Sequence, residues 1–265
     1  MSGAGTDATR GGAPGPRPSG TGPSGHGAAG AALRPAAVPA LRPAAVPAPR
    51  DTSRATLALL VCGIAGPAVF WALGFAAMAS WPGYDPASGS ISELIYARDG
   101  WLQVDAFILM AAFTTAFAVG MGRVAGATVA DRAAVRRALL VLAAIEVGFA
   151  LFPTDPDAAV TLHGALHVAD LAVFAVAFPA AAFVIARILR RDPPWWRAGA
   201  LTDAVAIFMT VAILGVALVL GGPLEAWTGI LERIWVAVPS LWLVGLAAHG
   251  ILVATGRITG RMVPA

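Results

Sequence analysis

Residues 161–187 read TLHGALHVADLAVFAVAFPAAAFVIAR, and this stretch decides the class of fold. It is apolar over more than the ~20 residues that an α-helix needs to cross the hydrocarbon core of a bilayer. Five more stretches of this kind lie in the chain, at 55–79, 102–123, 133–152, 200–220 and 234–255. The sequence therefore predicts an all-α, polytopic integral membrane protein, folded as a bundle of six transmembrane helices.

The composition of the 265-residue chain agrees with this prediction. Hydrophobic residues make up 58% of the chain and charged residues only 12%, which is about half of the roughly 25% found in an average soluble domain. An ordinary soluble enzyme is excluded at this point. The formal net charge of +3 is too small to indicate a nucleic-acid partner. The lipid bilayer is the expected partner.

Residues 1–53 differ from the rest of the chain. They are rich in Gly, Ala and Pro, and the segment LRPAAVPA at 33–40 is repeated at once at 41–48. Such a segment cannot bury enough apolar surface to offset the entropy lost on ordering. We therefore predict three parts, which are a disordered cytoplasmic tail at 1–53, a six-helix transmembrane domain at 54–256 and a short cytoplasmic C-terminal tail at 257–265.

The arginines give the orientation in the membrane. Arginine concentrates on the cytoplasmic side of membrane proteins. All arginines except Arg98 and Arg233 lie in or next to the two terminal tails, or in and beside the connections that follow the second and fourth stretches. We therefore predict a multi-pass protein of the cytoplasmic membrane with both termini in the cytoplasm. The loops that follow the first, third and fifth stretches then face outward.

The fourth stretch carries three ionisable side chains near its outer end, namely His163, His167 and Asp170. Their spacings of four and three residues place them on one face of a helix. Two imidazoles one turn apart can bind one zinc ion, but two ligands do not complete a site. The sequence requires no cofactor, and zinc or another divalent metal is the one that this histidine pair would take.

Acidic residues on neighbouring helices reach a similar depth. Glu146 lies six residues before Phe152 and His167 lies six residues after Thr161, so both are about 9 Å below the outer boundary. Asp105 enters from the same side, about one turn deep. An ionisable group inside a bilayer costs about 3 kcal/mol on insertion scales and is a functional candidate by default. The residues predicted to converge in the outer half of the bundle are Asp105, Glu146, His163, His167 and Asp170.

The long outer loop at 80–101 adds two more acids. Ser90 and Glu93 have the spacing of a capping box, which predicts a short helix beginning near Ile91. Asp85 precedes a proline, as turn residues often do. The functional alternative is that the Asp85 and Glu93 carboxylates line the entrance to a pocket.

Short motifs occur in a fixed order in the outer loops and at the outer end of the fourth stretch. They are Tyr84-Asp85-Pro86, Ile91-Ser92-Glu93-Leu94, Phe152-Pro153-Thr154-Asp155, His163-Gly164 and His167. With these motifs the chain resembles, over about 55–255, the bacterial membrane family known as domain of unknown function 998. The resemblance implies a six-helix integral membrane protein whose motif residues lie on the outer side. It implies no established activity.

The leading interpretation is an outward-facing acidic and histidine-containing pocket that binds a cation or small solute, with proton coupling. Histidine suits this role because its charge changes near neutral pH. The residues that would bind or titrate are Asp105, Glu146, His167 and Asp170. Asp85 and Glu93 would line the entrance of this pocket.

Two other interpretations stay open. The chain is alternatively a metal-dependent membrane enzyme, a hydrolase in which His163, His167 and an acid bind a metal whose water is the nucleophile. In the third interpretation the polar residues form a structural network, and the protein has a structural or signalling role without a small-molecule site. The sequence does not decide whether the protein is an enzyme or a transporter.

Overall fold

The computed structural model describes residues 15, 49–156, 161–219 and 225–259. Within these ranges the chain is all-helical, with six long α-helices and no β-strand. The helices are α1 (Arg54–Ala79), α2 (Trp101–Val124), α3 (Val129–Leu151), α4 (Leu162–Leu189), α5 (Trp196–Val219) and α6 (Thr228–Ala254). The predicted tail lies outside the described residues, apart from residue 15 and residues 49–53.

A serine or threonine hydroxyl caps the N-terminus of three helices. The side chains of Ser53, Thr128 and Thr161 each accept a hydrogen bond from a backbone N–H in the first turn of α1, α3 and α4. These bonds satisfy N–H groups that have no partner within the helix. Three short 3₁₀ turns stand between the helices, at Ser92–Tyr96, Pro193–Trp195 and Glu225–Trp227.

The helices pack mainly on their neighbours in the chain. α1 contacts α2, α2 contacts α3, and the series continues to α5, while α6 returns to pack on α1. Large side chains such as Phe117, Phe178 and Trp195 are fully buried between them. Apolar side chains also cover the outside of the bundle, where Val176 is 73% and Leu241 70% exposed. An apolar exterior of this kind suits lipid and not water.

Five of the six helices, all but α3, are long and apolar enough to span a membrane. The chain is therefore a multi-pass membrane protein. α3 has 23 residues, but Asp131, Arg132, Arg136 and Arg137 all lie in its first half. Its apolar part is correspondingly shorter than that of the other helices.

Residues 49–53, which precede the predicted boundary at residue 54, contact the bundle. The guanidinium of Arg50 lies 2.6 Å from the carboxylate of Asp192, which is almost fully buried. The carbonyl oxygen of Pro49 accepts a hydrogen bond of 2.7 Å from Arg132. Residues 49–53 are thus fixed to the bundle, because Asp192 and Arg132 bind this last part of the predicted tail.

The last helix begins earlier than the sequence predicts. α6 starts at Thr228, whereas the apolar stretch predicted from the sequence starts at 234, so Glu232 and Arg233 belong to the helix and not to the loop before it. Two adjacent charged residues are a pattern typical of loops, which is why the sequence places the start of the helix too late. Both find hydrogen-bond partners in the loop between α1 and α2, and these partners offset the cost of placing charges in the helix.

Candidate functional site

A cavity of about 90 Å³ lies inside the bundle. Side chains from α1, α2, α3, α4, α6 and the 3₁₀ turn Ser92–Tyr96 line it. Most of its wall is apolar, and seven aromatic side chains contribute, which are Phe70, Phe107, Phe149, Phe174, Phe178, Trp235 and Trp242. The polar side chains in the wall are Ser92, Thr114, Glu146, Glu232 and Ser240. The cavity is thus a hydrophobic and aromatic chamber that contains two carboxyl groups.

Of the two carboxyl groups in the cavity wall, that of Glu146 has fewer hydrogen-bond partners. Its Oε1 lies 3.3 Å from the hydroxyl of Thr114 on α2, which is a long contact. Its Oε2 is buried and has no hydrogen-bond partner among the residues that the structure describes. A buried carboxylate without a partner costs several kcal/mol, so this group requires either a proton or a positively charged neighbour.

Glu232, the second carboxyl of the cavity, is fully bonded. Its Oε2 accepts a 2.7 Å hydrogen bond from the backbone N–H of Ile91. Its Oε1 lies 3.1 Å from the hydroxyl of Ser92. Glu232 therefore ties α6 to the start of the 3₁₀ turn that covers this end of the cavity.

His167 continues the same chain of hydrogen bonds. Its Nδ1 lies 2.8 Å from the carbonyl oxygen of Phe152, which can only accept, so Nδ1 carries a hydrogen. Its Nε2 lies 3.2 Å from the hydroxyl of Ser92. The ring of Phe149 meets the imidazole edge to face, with 5.5 Å between the ring centres. His167, Ser92 and Glu232 thus form one continuous connection from α4 to α6.

The Ser92 hydroxyl has one hydrogen and lies between two groups that can accept it. If it donates to Nε2 of a neutral His167, the contact with Glu232 is a hydrogen bond only when the carboxyl carries a proton. If it donates to a Glu232 carboxylate, the contact with Nε2 is a hydrogen bond only when His167 is a cation. We call His167, Ser92 and Glu232 the triad. It has two states in which every contact is a hydrogen bond, and these states differ by the position of one proton.

Arg233, next to Glu232, holds the loop over the cavity. Its guanidinium donates to the carbonyl oxygens of Pro86, Gly89 and Gly229 at 2.9, 2.8 and 2.9 Å. A second nitrogen donates to the Tyr84 hydroxyl at 2.7 Å, and the guanidinium carbon lies 5.6 Å from the centre of the Tyr84 ring. We call Tyr84, Ser92, His167, Glu232 and Arg233 the loop network.

The two loop acids named by the sequence have local structural roles. Asp85 accepts hydrogen bonds from the backbone N–H of Ala87 at 2.9 Å and from the Ser88 hydroxyl at 3.0 Å, as a turn residue does. The bond from Ala87 is the main cause that lowers the pKa of Asp85. Glu93 accepts from the Ser90 N–H at 2.9 Å, and Ser90 in turn accepts from the Glu93 N–H at 3.1 Å, which confirms the predicted capping box. Neither carboxylate lines the cavity.

The remaining candidates stand apart from the cavity wall. Asp105 is half-buried on α2. The Asp170 carboxylate fits against Gly148 of α3, where a side chain on residue 148 would collide with it. Its Oδ2 is buried and has no hydrogen-bond partner in the described part of the chain. The structure therefore brings Glu146 and, through Ser92, His167 to the cavity, but not Asp105 or Asp170.

The histidine pair is divided between two environments. His163 is exposed, whereas His167 is only 6% exposed and has a neighbour at each ring nitrogen. Among the described residues, no group of three or more His, Cys, Asp or Glu side chains is placed to hold a metal ion. The zinc interpretation stays a prediction from the spacing alone.

Glu232 and Ser92 are the site residues that the sequence did not single out. Ser92 lies within one of the short motifs, and its neighbour Glu93 drew attention because it is acidic. A pattern did exist for Glu232, because Glu232, Val236 and Pro239 recur at helical spacing and all line the cavity. That pattern was hidden because the helix was predicted to begin at 234.

The fold and cavity define a multi-pass helical membrane protein with a partly polar interior. The family model described as "Protein of unknown function (DUF998)" matches residues 64–249, and the chain belongs to this family. The match includes all residues that line the cavity and all of the loop network, but not residues 49–53. No curated protein and no solved structure matches the chain.

Proposed function

We propose that the cavity binds a small organic cation and exchanges it for a proton. The observation that carries this proposal is the buried Oε2 of Glu146, which has no hydrogen-bond partner among the described residues and belongs to the cavity wall. A cation in the cavity would supply the missing partner. When the cation leaves, a proton would take its place, because an unpaired carboxylate is too costly there.

The wall of the cavity favours an organic cation over a hydrated metal ion. Aromatic faces attract cations, and substituted ammonium groups are bound in aromatic cages in many proteins. Five phenylalanines and two tryptophans line this cavity. A divalent metal ion instead prefers six or more oxygen ligands or retained waters, and this largely apolar wall suits alkyl groups better.

The loop network supplies a route for the proton. The two bonded states of His167, Ser92 and Glu232 would move a proton between Nε2 of His167 and the Glu232 carboxyl of the cavity wall. Histidine suits this exchange because Nε2 can accept or release a proton while Nδ1 keeps its hydrogen bond to Phe152. Proton entry at Glu232 and cation binding at Glu146 would then compete in one chamber.

The proposal includes the placement of the chain in the membrane. We propose that α3 is a sixth span, since its 23 residues extend about 34 Å at 1.5 Å per residue. Arginines in its first turns can extend their charged ends to the headgroups. With the arginine bias, both termini are cytoplasmic in the cell membrane, and the loop network faces outward. The metal-dependent hydrolase has no contact in its favour among the described residues.

Binding of tetramethylammonium to the purified protein in lipid nanodiscs tests the proposal. Trp235 and Trp242 line the cavity, so tryptophan fluorescence reports occupancy, and a pH indicator in weak buffer reports released protons. We expect saturable binding with release of protons in the wild type. We expect Glu146→Gln to lose at least about tenfold in affinity, because a charged partner is worth more than 1.4 kcal/mol in this setting.

Asp105→Asn is the matched control, because Asp105 is another half-buried acid on a helix but lies outside the cavity wall. It should bind tetramethylammonium as the wild type does. Equal affinity in the wild type and Glu146→Gln, or binding without proton release at any pH, would overturn the proposal.

A further inference from the structure

A second recess lies on the outside of the bundle, between α1 and α6. It has a volume of about 310 Å³. Its wall is formed by Ile64, Pro67, Ala68, Trp71, Ala237, Ser240, Leu241 and Val244, nearly all of them apolar. Leu241 is 70% exposed and Ala68 is exposed as well, so this recess opens on the surface that faces lipid. We call it the lateral groove.

The lateral groove and the cavity have one wall residue in common. Ser240 belongs to the walls of both. Its hydroxyl donates to the carbonyl oxygen of Val236 at 2.8 Å and accepts a 3.2 Å hydrogen bond from Nε1 of Trp71 on α1. The hydrogen bond from Trp71 thus joins α1 to α6 at the residue that the two walls share.

Both helices are weakened near this boundary. Pro67 lies in α1 and lines the lateral groove, and Pro239 lies in α6 and lines the cavity beside Ser240. A proline inside a helix removes one backbone hydrogen bond and allows the helix to bend. Bending at these positions would separate Trp71 from Ser240.

The end of the cavity near the loop network is closed. Ile91 is only 4% exposed, and its N–H is bonded to Glu232. Arg233 holds the loop with three hydrogen bonds, to Tyr84, Pro86 and Gly89. A ligand from water would have to break this network, whereas a ligand dissolved in lipid would enter between α1 and α6, where the Trp71–Ser240 bond joins the two helices.

We propose that the lateral groove is an entrance from the bilayer to the cavity, and that the ligand is a single-chain alkylammonium amphiphile. Its cationic head would lie at Glu146 among the aromatic rings, and its alkyl chain would lie in the lateral groove. The proposal deepens the proposed function and rests on it. The division of the two spaces matches this ligand, since one holds carboxyl groups and the other is apolar.

The test compares dodecyltrimethylammonium with tetramethylammonium in nanodiscs. The amphiphile concentration is expressed as the amount dissolved in the bilayer per lipid molecule. Differences in partition into the bilayer then cancel. Ala68→Trp fills the lateral groove from its exposed side and leaves the cavity wall intact. We expect it to weaken dodecyltrimethylammonium binding about tenfold, because the chain loses buried apolar contact, and to leave tetramethylammonium affinity unchanged.

Ala112→Trp is the matched control, since Ala112 is an exposed alanine on α2 that lines neither space. It should change neither affinity. As a measurement independent of variants, a diazirine at the chain terminus of the amphiphile should label peptides of α1 and α6 in the wild type. Excess tetramethylammonium should prevent this labelling.

The outcomes separate the two proposals. If tetramethylammonium binds at Glu146 but Ala68→Trp leaves dodecyltrimethylammonium unaffected, the lateral entrance is overturned and the proposed function stands. If the dodecyl compound binds Glu146→Gln as well as the wild type, the lateral groove merely holds lipid chains, and the entrance is overturned again. If neither compound binds, both proposals fail together.

Discussion

At one end of the cavity, Glu232 accepts two hydrogen bonds and Arg233 beside it donates four, while on α3 the carboxyl of Glu146 has one long contact to Thr114. Both carboxyl groups line the same chamber. Polar groups whose hydrogen bonds are all formed stabilise one conformation, because each group loses a partner when the structure changes. A polar group without a hydrogen-bond partner contributes little to the stability of the ligand-free protein. Such a group is available to a ligand. In the proposed function, the loop network accordingly serves structure and proton movement, and Glu146 serves binding.

The largest expected effect on stability comes from Arg233→Met. The change removes every hydrogen bond between the guanidinium and the loop, and leaves the carbonyls of Pro86 and Gly89 without this donor. We expect a loss of about 3 kcal/mol in the free energy of unfolding. Thermal unfolding of the detergent-purified protein measures it. Arg98→Met removes an exposed arginine of the same loop and should change the melting temperature by less than a third as much.

Glu232→Leu is expected to have the next largest effect. The leucine fills the space of the carboxyl but leaves the buried N–H of Ile91 without its acceptor. An unsatisfied buried donor costs about 1–3 kcal/mol, so we expect a loss of about 2 kcal/mol. Hydrogen exchange at the Ile91 amide should rise in parallel. Unchanged protection of that amide would contradict the role given to Glu232.

Tyr84→Phe removes one hydroxyl from the loop network and should cost about 1 kcal/mol. The hydroxyl donates toward the carbonyl oxygens of Gly89 and Ser90 and accepts from Arg233. Burial raises the pKa of Tyr84 above its ordinary value, although Arg233 opposes this shift.

The pH dependence of this contribution has a definite sign. The folded protein holds the phenol proton more tightly than the unfolded chain does, so the contribution of Tyr84 is complete below the unfolded pKa of about 10. It is lost as the pH rises through the higher pKa of the folded state. The wild type should therefore lose stability relative to Tyr84→Phe in unfolding experiments between pH 10 and the higher folded pKa. A constant difference across this range would show that the hydroxyl is not held as described.

The sequence predicted those features that depend on local pattern. Apolar runs of sufficient length located the helices, and the Ser90–Glu93 spacing predicted a cap that both backbone bonds confirm. Counting residues from the helix ends also put Glu146 and His167 at similar depth. Glu146 lines the cavity, and His167 reaches it through Ser92.

The contacts that build the site are not local. Ile91 and Glu232 are 141 residues apart in the chain, and helical periodicity shows which side chains share a face but not which faces meet. Asp170 illustrates this limit, because it shares a face with His167 in the sequence pattern yet packs against Gly148 and not in the cavity. The sequence did not single out Glu232 for another reason. An acidic residue next to a basic residue is typical of a loop, and their hydrogen-bond partners lie far away in the chain.

The smallest expected effect, and the strictest test of the comparison, comes from Glu146→Leu. It makes the same chemical change as Glu232→Leu, in the wall of the same cavity. Replacing a buried polar group that lacks partners by an apolar side chain of similar volume is often neutral or stabilising. We therefore expect the free energy of unfolding to stay within about 0.5 kcal/mol of the wild type or to rise by about 1 kcal/mol. Thermal unfolding without added cations measures this, and tetramethylammonium should stabilise the wild type but not the variant. If Glu146→Leu instead costs as much as Glu232→Leu, Glu146 has a structural partner, and the distinction between a saturated network and an available carboxyl fails.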